Sequence, residues 1–121
     1  MIDIDEFEIL LDDIAMELPA ELYNNLNGGI LLLPEVKIHP RARKNDLYIL
    51  GEYCTHPFMG RYIVIYYGSF EKVHGHLNRE ALRQKMAETL KHEFRHHLEN
   101  QAGVRDLEIL DEKVLQRYEK K

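Results

Sequence analysis

The pentapeptide His92-Glu93-Phe94-Arg95-His96 puts two imidazoles and a carboxylate within five residues. On a helix, residues four apart project from one face on consecutive turns, so both histidines can reach a single zinc ion. Glu93, next to the first histidine, then points at the open position of the metal. This is the residue set for metal-assisted hydrolysis, with His92 and His96 as ligands and Glu93 as general base.

The chemistry requires a helix, and the surrounding sequence supplies one. A single helix is expected from about Asn78 to Gln101, opened by an Asn cap and free of Pro and Gly until Gly103. Leu82, Met86, Leu90, Phe94 and Leu98 recur every four residues and form its buried stripe. His92 and His96 lie beside that stripe, with Glu93 between them and the core side. His97 falls on the core side and is expected to be packed and hydrogen-bonded, with a contact to a ligand carboxylate as a further role. Glu99 lies on the histidine face one turn further along. Ligation by Glu99 would stretch one site over too many turns, so it is expected at the surface or behind a ligand.

With 121 residues the chain reads as one domain, 1–121, large enough for a single core but not for a separate recognition domain. A net charge of -5 argues against nucleic acid as a partner. The basic run Arg41-Ala42-Arg43-Lys44 after Pro40 reads as a solvated turn. The N-terminus is acidic, unlike a signal peptide, and Ile30-Leu31-Leu32-Leu33 is far too short to span a bilayer, so no membrane association is expected. One cysteine, Cys54, fits a reducing compartment, and a cytoplasmic monomer or weak homo-oligomer is expected.

Residues Asp3 to Leu18 carry Phe7, Leu10, Leu11, Ile14 and Leu18 at helical spacing, ended by Pro19. Asn24 to Gly29 reads as a turn. Ile30 to Ile38 is a β-rich run broken by Pro34, hence an edge or bulged strand. Leu47 to Tyr53 and Arg61 to Tyr67 are further strands, with Thr55 to Gly60 a loop between them. His74-Gly75-His76 reads as a loop before the helix cap. A last helix is expected from Asp106 to about Tyr118, with Leu107, Leu110 and Val114 inward. The order implies an α+β fold with a small mixed or antiparallel sheet packed on the long motif helix.

The segment Arg61-Tyr62-Ile63-Val64-Ile65-Tyr66-Tyr67-Gly68-Ser69-Phe70-Glu71, followed by Thr89-Leu90-Lys91-His92-Glu93-Phe94-Arg95-His96-His97, resembles the minimal zincin-like metallopeptidases of bacteria. Leu50-Gly51-Glu52-Tyr53 and the N-terminal helix extend the resemblance over most of the chain. It implies a sheet of three or slightly more strands over two principal helices, one bound zinc, and peptidase chemistry on a peptide or protein substrate. Many such proteins carry Gly three residues after the second metal histidine and an Asp ligand three after that. Here those positions are Glu99 and Ala102, whereas Gly103-Val104-Arg105-Asp106 repeats the element four residues on, about one helical turn. Asp106 is thus the first candidate for third ligand, with Glu108 and Asp111 as alternatives, since zinc accepts any of these carboxylates.

The strand Arg61 to Tyr67 offers a sheet edge for an extended peptide, and Tyr66 or Tyr67 a hydroxyl for the oxyanion, although both tyrosines also suit strand packing. A zinc-stabilised module that binds a peptide or protein without hydrolysis is the competing expectation. Glu93 opposes it, because a purely structural site has no use for a base beside an open position.

Overall fold

The computed structural model describes residues 1–44 and 46–103. Helix α1 (Ile4–Glu17) begins where the Asp3 carboxylate accepts the Glu6 N–H at 2.9 Å and stops just before Leu18 and Pro19. It buries Phe7, Leu10, Leu11 and Ile14, the spacing read from the sequence. One 3-10 turn, Ala20–Tyr23, follows. Helix α3 (Arg79–Gln101) begins where Asn78 Oδ1 accepts the Ala81 N–H at 2.8 Å. Its buried stripe is Leu82, Met86, Leu90, Phe94 and Leu98, as expected.

Among the described residues five strands form two sheets: β1 (Gly29–Leu33), β2 (Lys37–Ile38), β3 (Tyr48–Ile49), β4 (Gly51–His56) and β5 (Gly60–Tyr66). The larger sheet has the order β1-β5-β4, with β1 parallel and β4 antiparallel to β5, and β2 pairs with β3 in a small antiparallel ribbon. The molecule is therefore α+β with a small mixed sheet and a long helix packed on it. Ile63 and Ile65 of β5 enter the main core with α1 and α3, while Val64 and Tyr66 are buried on the opposite face.

Three expectations are corrected. Residues 61–66 are not a sheet edge but lie in the central strand. Their near-continuous apolar run, Ile63-Val64-Ile65, is what burial on both faces demands. Among the described residues, the free edge beside the motif helix belongs to β4. The expected loop from Thr55 to Gly60 shrinks to Pro57-Phe58-Met59, because His56 Nδ1 accepts the Phe58 and Met59 N–H groups at 3.1 and 3.2 Å and Gly60 takes φ +76°. Tyr67 ends no strand but opens helix α2 (Tyr67–His74), in which its ring packs edge-on against Phe7 and its hydroxyl donates to the Ile2 carbonyl. His74 is the last residue of α2, and burial pushes its imidazole pKa below the usual value.

Gly51 sets the spacing between β4 and α3. A Cβ there would lie 3.2 Å from Thr89 Cγ2 on α3 and 3.1 Å from Ile65 Cδ1 on β5, so a larger residue pushes the strand off the helix. Among the described residues no helix is long and apolar enough to cross a membrane.

Candidate metal centre

On the outer face of α3, His92 Nε2 and His96 Nε2 face each other at 3.1 Å, their rings edge-on. The Glu93 carboxylate completes a group whose candidate ligand atoms all lie within 4.8 Å of one another. Tetrahedral zinc with Zn–N bonds of about 2.0–2.1 Å places two ligand nitrogens about 3.3 Å apart. The histidine pair matches that spacing, and imidazole nitrogens suit zinc. The histidines are exposed, whereas Glu93 is 5% exposed, as its place toward the core side of the helix predicts.

Burial raises the Glu93 carboxyl pKa above the usual carboxylate value. His92 and His96 pull it back, Glu52 adds to the rise, and a hydrogen bond from the Tyr53 backbone N–H lowers it. That contact fixes which way β4 presents its backbone. Leu50 O accepts from Tyr66 N on the β5 side, and antiparallel strands alternate, so Gly51, Tyr53 and Thr55 turn their N–H and C=O groups to the free edge. The edge runs beside Glu93.

The space between the β4 edge and α3 has two hollows that meet at His92 and Glu93. One, of about 390 Å³, is lined by Tyr48, Ile49, Leu50, Glu88 and Thr89. The other, of about 640 Å³, adds Glu52, Tyr53, His96, Glu99 and Asn100. A hydrogen-bond chain braces the second. His97, 1% exposed, contacts the Asn24 carbonyl through Nε2 and the Tyr53 hydroxyl through Nδ1, both at 2.7 Å. A carbonyl only accepts, so Nε2 carries the proton and Nδ1 accepts from Tyr53. The packed, hydrogen-bonded role expected for His97 is what the fold shows. One of its polar partners is a tyrosine on the strand that borders the cleft, so His97 ties strand to helix.

Tyr66 donates its hydroxyl to Glu52 Oε1 at 2.5 Å, and Lys37 Nζ lies 3.7 Å from the same oxygen. Burial first, then this bond, holds the Tyr66 phenol far above its usual pKa, so its proton stays committed to Glu52. Tyr67 is bonded to Ile2 and plays no part in the cleft. Asp106, Glu108 and Asp111 lie outside the described residues. Helix α3 does run on to Gln101, five residues past His96, as the displaced Gly103 element implies. Glu52, Tyr53, Thr89 and Asn100 were missed as cleft residues. The more polar, alternating sequence of Gly51 to His56 was the available signal that this strand, not the apolar one after it, forms the edge.

This α+β domain, with a His-Glu-His helix beside a free strand edge, is similar to a solved structure described as a conserved hypothetical protein from Thermo thermophilus. The two share 33% sequence identity with a TM-score of 0.71, over 84% of this chain and 98% of that one. The chain belongs to the same family as that protein. No protein-family model matches it, and no curated protein does.

Proposed function

We propose that the protein is a zinc-dependent metallopeptidase of the minimal zincin-like kind, acting on extended peptide segments. The observation that carries this reading is the approach of His92 Nε2 to His96 Nε2 at 3.1 Å, with a buried Glu93 carboxylate beside them on the floor of a cleft. His92 and His96 would hold the metal, with Asp106 as third ligand and Glu108 or Asp111 as the alternatives downstream. Bound zinc supplies a Lewis acid for the scissile carbonyl and lowers the pKa of water toward neutrality.

The chain's own residues account for the remaining steps. The outward backbone groups of Gly51 and Thr55 and the Tyr53 carbonyl, the Tyr53 N–H being taken by Glu93, pair with an extended peptide and lay it along α3, a mode that reads backbone rather than sequence. Glu93 takes a proton from the attacking water and returns it to the departing amine. A carboxyl raised by burial is a stronger base than an exposed one, which brings the proton transfer nearer to balance at neutral pH. Ile49 and Leu50 offer an apolar wall on one side of Glu93, and Asn100 a polar one on the other.

Glu93→Gln separates the enzyme from a zinc-stabilised binding module. Zinc retained with peptide hydrolysis reduced at least about 100-fold, the size of a general-base contribution, supports the enzyme. Peptide binding without hydrolysis in both wild type and variant would leave only the module.

A further inference from the structure

The larger sheet has a second edge, on the side away from the metal centre. Among the described residues β1 pairs with β5 alone, and each of its residues is partly exposed. The register settles which of its backbone groups are spare. Tyr66 N bonds to Leu50 O on the β4 side, so the even residues of β5 turn to β4 and the odd ones to β1, as the 2.9 Å bond from Gly28 N to Arg61 O shows. Leu31, opposite Val64, therefore bonds to Ile63 and Ile65. Ile30 and Leu32 are left with their N–H and C=O groups turned outward, while their side chains pack against the core.

Helix α1 supplies the other wall of this edge. A hollow of about 260 Å³ is lined by Leu11, Ala15 and residues 30–32, together with the carboxylates of Glu8 and Asp12. The acidic side chains of α1 are not alike. Glu6 and Glu17 pair with Arg79 and Arg83 of α3 at 2.9 and 2.7 Å. Glu8 and Asp12 are exposed, one turn apart, and among the described residues no cation comes within ion-pair distance of either. Like charges at that spacing repel, and a bound cation relieves the repulsion. The bias extends beyond the hollow, since the first 36 residues hold nine of the 21 acidic side chains and none of the 16 Lys and Arg. A second copy of the chain would set the same carboxylates against each other, so the charge selects a basic partner.

We propose that the β1 edge is a docking groove for a partner protein, which adds an extended segment carrying Lys or Arg at alternate positions. Backbone pairing with Ile30 and Leu32 sets its register. Alternate residues of a strand stand about 6.6 Å apart and residues one turn apart about 6 Å along a helix, so cations two residues apart meet Glu8 and Asp12. Leu11 and Ala15 cover the apolar stems of those cations. The groove and the metal cleft lie on opposite edges of one sheet, and the inference stands apart from the zinc reading.

The test uses the full chain with a chelator present, and as probe a fluorescent seven-residue peptide of alternating lysine and valine. Anisotropy should show binding that weakens with added salt, and a glutamate–valine peptide of the same length should not bind. In the double variant Glu8→Lys, Asp12→Lys the Kd should rise at least about 10-fold, because two attractions become repulsions. Both positions are exposed, and thermal melts of the variant should match those of the wild type. A lysine–valine peptide N-methylated at alternate residues cannot add as a strand and should bind the wild type about 10-fold more weakly, which tests the pairing without altering the protein. In ¹H–¹⁵N spectra the amides of Ile30 and Leu32 should shift on titration. Absence of binding, an unchanged Kd in the double variant, or shifts confined to Gly51 and Thr55 would overturn the proposal. So would a wild-type dimer that already shields the amides of Ile30 and Leu32.

Discussion

Glu93, the proposed general base, carries a conflict between burial and charge. Burial raises its carboxyl pKa, so the folded state holds the proton to higher pH than the unfolded chain does. The metal-free fold therefore loses stability as pH rises from the unfolded value through the raised folded one. Glu93→Gln abolishes that loss and keeps an oxygen for the Tyr53 N–H. In a chelator, the variant should melt above the wild type at about pH 7, and the gap should close near pH 4, where the carboxyl is largely protonated in both states. Thermal melts at the two pH values check this. A variant that melts below the wild type at neutral pH would contradict it. Tyr53→Phe strips the hydroxyl from buried His97 and should lower stability by about 1–3 kcal/mol in denaturant titrations, the cost of an orphaned buried acceptor. His92, Glu93 and His96 were legible from spacing alone, because α-helical geometry fixes which face they share. Glu52 and Tyr53 were not, because strand-to-helix proximity depends on sheet order, and local periodicity does not encode that.

At the level of elements, α3 supplies His92, Glu93 and His96, while β4 supplies the edge beside them. The two contributions should therefore separate. Gly51→Val places a branched side chain against Thr89 and Ile65 and pushes β4 outward. Zinc affinity should stay near that of the wild type, while the KM for peptides rises. A matching loss of zinc would mean that β4 also supports the metal. Asn78→Ala removes the first bonded cap of α3 and should cost about 1 kcal/mol, measured in denaturant. The helices were legible because caps, prolines and four-residue spacing all agree for α1 and α3. Helix α2 was not, because Gly68 and Ser69 have poor helical propensity and follow directly on a strand pattern. Its position is set by tertiary contact, since a Cβ on Gly68 would come within 2.7 Å of the Glu35 backbone.

For the whole molecule, the proposed zinc site makes metal uptake and folding stability linked quantities, because the unfolded chain does not hold the histidines together. Zinc at about 1,000 times its Kd should stabilise the fold by about 4 kcal/mol, and a chelator should reverse the rise in Tm. The central claim is that α3 and its neighbours hold one zinc for hydrolysis. It is tested most directly by zinc stoichiometry after exhaustive dialysis, for the wild type beside His96→Ala and Asp106→Ala. The expected result is about one zinc per chain in the wild type, lost in His96→Ala. Loss in Asp106→Ala as well would identify the third ligand, and retention there would move it to Glu108 or Asp111. A wild type that holds no zinc even after reloading would contradict the claim.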